Sequence, residues 1–346
     1  MRRQGSRQTE RDLEALARGF QRLPPQQQRV VAIVLLAIVL MAGAVYLYQQ
    51  HRLSQSHASP PVATGPESTA PWPVPPAAGP AANLLLGNPS GATSDPSNRD
   101  NYLMLKPYFA LSYNADAGTA NWVSWRVTRA DLGDAPRKQM FDSDVTLPPG
   151  FYRVTHHDYS NSGFERGHLC PHGDRTANQE MSFATFVMTN VIPQAPNVNE
   201  KAWANLEEYC RRLVTQQHER LYVIAGPAGR GGRGTKGFVT TIADGRVAVP
   251  AQCWKVIVAV PESNGSGSAD EPSRIDSSAR VIAVVMPNDD QRVGEEWAAF
   301  RTSAAAIERL TAYHFFTALP PTVADRLRQK VDTMPVAPPE PYHHQH

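Results

Sequence analysis

Residues 30–48, VVAIVLLAIVLMAGAVYLY, run without a single charge. As a helix rising about 1.5 Å per residue, the run is roughly 28 Å long, close to one bilayer core. This stretch constrains the fold most, because it divides the chain into parts that face different solvents. Arg2, Arg3, Arg7, Arg11, Arg18, Arg22 and Arg29 precede it, and only Arg52 follows closely. The positive-inside rule then keeps residues 1–29 in the cytoplasm and sends the rest across the membrane, with Tyr46 and Tyr48 at the interface. A cleaved signal peptide with AGA at 42–44 as the cut fits less well, since the apolar run continues past that site. Ahead of the span, Thr9 and Asp12 read as the cap of a short helix carrying Leu13, Leu16, Phe20 and Leu23 on one face.

Beyond the span, residues 49–82 carry Pro60, Pro61, Pro66, Pro71, Pro73, Pro75, Pro76 and Pro80 among Ala, Ser and Gly. That composition reads as an extended spacer. The leucines of NLLLGNPS at 83–90 need burial, so the folded domain is placed at 83–335. The histidine-bearing end at 336–346 reads as a disordered tail. Formal net charge is +2, but residues 101–335 hold 25 Lys and Arg against 25 Asp and Glu. The excess therefore sits in the N-terminal segment, and bulk charge does not mark a nucleic-acid binder. Cys170, Cys210 and Cys253 form no CxxC pair, which argues against a cysteine-rich zinc site. They read as small buried hydrophobes, although an exported domain could hold one bridge.

Within 83–335, NWVSWRVTR alternates as a strand does. RLYVIAG, WKVIVAV and RVIAVVMP are short apolar runs bounded by turn residues, as buried strands are. Residues 199–217 have helical spacing at Ala202, Leu206, Cys210 and Leu213, and a second helix is expected from Ser303 to Leu310. GPAGRGGRGTKG at 226–237 fails the phosphate-loop spacing, because Lys236 is followed by Gly237, and reads as a hairpin loop.

The stretch GFERGHLCPHGDR at 163–175 is too polar and too broken by Gly and Pro for a plain core strand or helix. An ordinary histidine titrates near neutrality, so His168 is expected to take a proton from water. Arg166 can pair with a phosphate through two N–H groups. Gly167 reads as a tight turn that lets its neighbours converge, and Glu165 can orient an imidazole, an arginine or water on a metal. A zinc site from Cys170, His168 and His172 is disfavoured, since Pro171 intervenes. His156 and His157 read as a polar loop rather than as substrate contacts, and Asp174 with Arg175 equally as site residues or as a structural pair. The second informative stretch, TNVIPQAPNVNEKAWANLE at 189–207, opens a helix at Asn199. Trp203 and Glu207 follow at i+4 and i+8 on the same side. Asn199 offers an amide oxygen, Glu207 a carboxylate, and Trp203 between them reads as the packing residue.

Together these stretches resemble the DNA/RNA non-specific endonuclease family, whose pattern is D-R-G-H followed by T/S-N-x-x-P-Q-x4-N-x3-W-x2-L-E. ERGH stands at 165–168, and the second pattern matches at Asn190, Pro193, Gln194, Asn199, Trp203, Leu206 and Glu207. The resemblance spans roughly 83–320. It implies an α+β, ββα-metal (His-Me finger) nuclease fold around an antiparallel sheet, here preceded by one transmembrane helix. It implies His168 as general base and Asn199 as the direct protein ligand of Mg²⁺, with Mn²⁺ able to substitute. Glu207 would hold a water of the metal, Arg166 and Arg137 would pair with the phosphate, and Asn190 would support the site from behind. The substrate would be DNA or RNA, cut to 5′-phosphate and 3′-hydroxyl ends, and a homodimer is left open by the sequence. The one departure is Glu165 in place of Asp, a methylene longer. A binding module that has lost catalysis and a membrane-tethered scaffold are the competing classes, and both exclude metal-dependent cleavage.

Overall fold

In the computed structural model, the described residues are Pro24 and residues 83–262, 275–292, 294 and 296–336. All but Pro24 fall in one unit of the chain, Trp72–His346. The expected span at 30–48, the N-terminal helix, the spacer and the tail from 337 lie outside the described residues. Among the described residues no helix is long and apolar enough to cross a membrane.

The strands run in chain order: β1 (Tyr102–Leu105), β2 (Ala110–Asn114), β3 (Thr119–Val127), β4 (Glu165–His168), β5 (Val191–Gln194), β6 (Glu219–Ala228), β7 (Gly232–Gly234), β8 (Gly237–Val239), β9 (Thr241–Ile242), β10 (Val247–Ala248), β11 (Gln252–Pro261), β12 (Arg280–Pro287) and β13 (Arg301–Thr302). Seven of them form one sheet in the order β1-β2-β3-β6-β11-β12-β13, with every neighbouring pair antiparallel. The helices are α1 (Gln179–Ala184), α2 (Ala204–Gln216), α3 (Ala304–Thr311) and α4 (Pro321–Gln329).

Both faces of the sheet are covered, which explains why its central strands read as continuous apolar runs instead of alternating ones. On one face Trp125, Val223, Ile257 and Ile282 pack under Trp203, Leu206, Tyr209 and Leu213 of the segment ending in α2. On the other, Trp122, Ile224, Val256 and Val258 pack under Ile307, Phe315 and Leu327 of the α3–α4 region. Each such apolar side chain, fully buried, stabilises the domain by about 1.5–3 kcal/mol. α1 is capped by the Asn178 side chain, which accepts from the Met181 N–H, and α3 by Ser303, which accepts from the Ala306 N–H.

The strands expected at NWVSWRVTR, RLYVIAG, WKVIVAV and RVIAVVMP appear as β3, β6, β11 and β12, and the glycine-rich 226–237 stretch turns into the β7–β8 hairpin. The expectation for ERGH needs correcting. It is a strand, β4, paired with β5 in a two-stranded ribbon outside the large sheet. A smaller apolar cluster containing Phe141, Phe164, Phe186 and Val191 supports the ribbon. Ribbon and following helix together make a strand–strand–helix unit against one face of the sheet.

Candidate active site

β4 and β5 set Glu165 opposite Gln194 and His168 opposite Val191. Gly167 does not make a turn here. It lies within the strand, and a Cβ added to it would sit 2.2 Å from the Gln194 Oε1. Glycine is needed because the fully buried Gln194 side chain occupies that space.

The end of β4 is clamped from two sides. The Trp203 Nε1–H donates to the His168 carbonyl at 3.3 Å. Asn190 accepts from the Cys170 N–H at 2.9 Å and donates to the carbonyls of Cys170 and Thr185 at 2.8 and 2.9 Å. Asn190 thus ties the Cys170 backbone behind the cavity and is absent from the residues lining it. The His168 ring lies with its centroid 4.8 Å from those of Phe141 and Phe186. Its Nε2 is buried with no hydrogen-bond partner among the described residues. Burial, then the Arg137 charge and His172, push its pKa down to about 3. The imidazole is thus neutral at ordinary pH and able to accept a proton.

Asn199 does not cap the helix. It lies in a π-helical segment, Val198–Trp203, that leads into α2. Eight residues of plain α-helix would leave Asn199 and Glu207 about 80° apart around the axis; the wider π turn takes up most of that difference. Both then line one cavity of about 310 Å³, together with Arg137, Arg166, His168, His172 and Arg211. The Asn199 Nδ2 donates to the Glu165 Oε2 at 2.7 Å. The amide nitrogen is committed to a carboxylate, which leaves Oδ1 as the donor atom for a cation. Glu165 thus orients Asn199, not His168. Burial raises the Glu165 pKa, and the neighbouring Glu200 adds to the rise, while Asn199 and Arg166 oppose it.

Glu207 pairs through Oε1 with Lys255 Nζ at 3.1 Å. Burial raises its pKa, and Lys255 and Arg211 pull it back. Arg137 sits 5.1 Å above the Phe186 ring and Arg166 5.8 Å above the Phe141 ring. Among the described residues neither has a carboxylate partner, so both guanidinium groups are available to an anion. A second cavity, about 640 Å³, shares Arg137, Arg166 and Asn199 and adds Glu165, Glu200 and Tyr159.

Some expected residues fall elsewhere. His156 and His157 stack on each other at 3.9 Å and line neither cavity. Asp174 and Arg175 do not pair through their side chains. Asp174 accepts from Trp125 Nε1 at 2.9 Å and pairs with Arg211 at 3.3 Å, whereas Arg175 faces Asp131 at 3.8 Å. Cys170, Cys210 and Cys253 are free and buried. Three contributors escaped the sequence reading. His172 stood in the quoted motif but was weighed only as a zinc ligand, and Arg211 follows Glu207 at i+4. Lys255 is the one charge inside the apolar run WKVIVAV, and a buried lysine demands a partner.

A strand–strand–helix unit that brings a neutral histidine, an amide oxygen, a carboxylate and two arginines without an ion-paired carboxylate among the described residues to one cavity suits a phosphodiester-cleaving class of site. The particular family follows from comparison. The family model for DNA/RNA non-specific endonucleases matches residues 86–322. The chain is 46% identical over 252 residues to a protein named Nuclease from Nostoc sp., covering 73% of this chain and 86% of the relative. It is 31% identical over 230 residues to the mitochondrial nuclease EXOG of Homo sapiens, covering 65% of this chain and 59% of the relative. Mitochondrial endonuclease G of Homo sapiens is 34% identical over 155 residues, covering 43% and 52% of the two chains. A chain in the crystal structure of the EndoG/EndoGI complex superposes with a TM-score of 0.56 at 24% identity, over 73% of this chain and 95% of that one. The chain belongs to the DNA/RNA non-specific endonuclease family, a family of metal-dependent nucleases, and is a nucleic-acid hydrolase.

Proposed function

We propose that this protein is a Mg²⁺-dependent endonuclease, anchored in a membrane through residues 30–48 with its nuclease domain outside the cytoplasm. In this reading it cleaves DNA, RNA or both to 5′-phosphate and 3′-hydroxyl ends. The observation that carries the reading is the one cavity shared by neutral His168, Asn199, Glu207, Arg137 and Arg166.

The donor set suits a hard cation. Asn199 offers one neutral oxygen, because its nitrogen is held by Glu165, and Glu207 adds a carboxyl group to the same cavity lining. No group of three or more His, Cys, Asp or Glu able to hold a metal occurs among the described residues. One amide oxygen with a nearby carboxylate fits Mg²⁺, which keeps most of its water. Bound there, such a cation would neutralise a phosphodiester oxygen and stabilise charge on the departing O3′.

The chain's own residues supply the rest. Arg137 and Arg166 pair with the phosphate and fix its orientation. His168 takes the proton from the attacking water as the new oxygen–phosphorus bond forms. The P–O3′ bond breaks, O3′ leaves with the electron pair and gains a proton from solvent, and the phosphate stays on the 5′ side. A phosphate seated beside Arg137 offsets one of the charges that hold the His168 pKa down, so the base strengthens when substrate is present. Glu207 anchors water within the cavity and keeps it aligned.

Plasmid DNA and RNA incubated with the protein test this reading. Cleavage should vanish in excess EDTA and return with Mg²⁺, and the products should accept ligation without added kinase. Undiminished cleavage in chelator would overturn the metal-dependent mechanism. The anchoring part is tested separately: a reporter joined after His346 should be active only in an extracytoplasmic form.

A further inference from the structure

Lys255 lies in the middle of β11, between Ala225 of β6 and Val284 of β12, where every neighbouring strand residue is apolar. It is 1% exposed. Its ammonium sits 4.2 Å from the centroid of the Trp203 ring and 5.5 Å from that of Trp125. Its one hydrogen-bond acceptor among the described residues is the Glu207 Oε1, at 3.1 Å. A lysine buried at the centre of a sheet is a poor way to gain stability. Desolvating two ions offsets their attraction, and an apolar pair of similar volume is often as stable or more so. Arg211, which also lines the cavity, is engaged with Asp174 at 3.3 Å and Glu208 at 2.9 Å. Among the described residues Glu207 is the carboxylate that Lys255 pairs with, and Glu207 lines the cavity that also holds His168 and Asn199.

We infer that Lys255 is a positioning residue for the nuclease reaction, holding Glu207 by Oε1 so that Oε2 faces the cavity. The role rests on the nuclease reading of that cavity. The two indole rings fix the ammonium sideways, the strand fixes it in height, and the ion pair passes that rigidity to a side chain on α2. Helix and sheet are thereby registered to each other at the level of the site. Trp203 completes the arrangement, since the same indole that contacts Lys255 also holds the His168 carbonyl. The base, the carboxylate and the lysine are thus linked through one ring.

Four full-length proteins test this: wild type, Lys255→Met, Glu207→Gln and the double variant. Methionine keeps the length and apolar stem of lysine without its charge. Lys255→Met should lower kcat by about 10–100-fold, with KM for DNA little changed, and weaken Mg²⁺ binding measured by calorimetry without nucleic acid by a similar factor, since supporting groups around a metal site act at that scale. In the Glu207→Gln background the same substitution should change kcat less than about twofold, because its target is already gone. Losses that add in full, a drop in DNA affinity alone, or no loss would overturn the assignment. If Lys255→Met does not fold, the double variant, which buries no unpaired charge, is compared with Glu207→Gln. Equal rates support the role and a further large loss overturns it. A wild type that shows no Mg²⁺-dependent cleavage would overturn the nuclease reading and this role with it, before any substitution is made.

Discussion

Acidification from pH 7 to pH 5 should cost the folded domain about 2 kcal/mol through His168 alone. The imidazole is held at about 3, against 6.5 for an ordinary histidine, by burial, the Arg137 charge and His172. As pH falls through 6.5 the unfolded chain binds a proton at this position, while the folded chain does not until about 3. The unfolded state therefore gains protons first, and stability falls across that window; above 6.5 the residue has no effect. Each pH unit below 6.5 costs about 1.4 kcal/mol, which gives about 2 at pH 5 and a limit of about 5 below pH 3. The assay is urea unfolding of wild type and His168→Gln at pH 7 and pH 5. Glutamine cannot titrate, so the variant should lose about 2 kcal/mol less than wild type between the two pH values, and the difference removes the contributions of His172 and the carboxylates. Its turnover at pH 7 should be down by about 10²–10⁴-fold, as for loss of a general base. Equal losses of stability in the two proteins would show that His168 is neither desolvated nor under the field of Arg137.

Gly167→Ala should destabilise by about 1–3 kcal/mol, because its Cβ meets Gln194 on a paired strand; an unchanged melting temperature would refute the close approach. Asp332→Asn should cost about 3–5 kcal/mol in urea unfolding, since that carboxylate holds Arg280 at 2.8 Å and Arg301 at 3.0 Å; a change below about 1 kcal/mol would show the network to be idle. Glu165→Asp and Glu165→Gln should both lower initial rates of plasmid cleavage in saturating Mg²⁺, and a tenfold gain from the aspartate would mean that the longer side chain is a defect.

The large sheet was legible because its strands are apolar runs between turn residues, and burial on both faces is the only state that suits CWKVIVAV. α2 was legible from its spacing at Leu206, Cys210 and Leu213. Its first turn was not, since nothing in VNEKAW signals that five residues are wound where four are usual. The β4–β5 ribbon was missed for a related reason. Glu165, Arg166 and Gly167 carry no strand propensity, and their pairing depends on Val191–Gln194, more than twenty residues on. His168, Arg166, Asn199 and Glu207, which line one cavity, were singled out by two short motifs and the family resemblance those motifs carry. What supports them was not: Lys255 meets Glu207 across 48 positions of sequence, and only the fold brings them together.

Glu165 shows how these levels meet. The residue begins β4, and Asn199 stands on the π turn beyond β5. Their 2.7 Å hydrogen bond joins the ribbon to the helix at the point where the cation is proposed to bind. A carboxylate accepts and cannot donate, so it sorts the two ends of the Asn199 amide, with nitrogen toward Glu165 and oxygen toward the cavity. Glutamine at 165 has the same reach but can donate, and it would let the amide turn over and present its nitrogen to the cation. Aspartate keeps the sorting but shortens the reach, so it must draw the turn toward the ribbon or lose the bond. Charge and length at this position therefore fail in different ways. Loss of charge should weaken Mg²⁺ binding itself, while loss of length should chiefly displace Asn199 from Glu207 and His168 and lower the rate at saturating metal. A Mg²⁺ titration of both variants separates the two, and identical half-saturation with equal loss of rate would show that Glu165 does not orient Asn199.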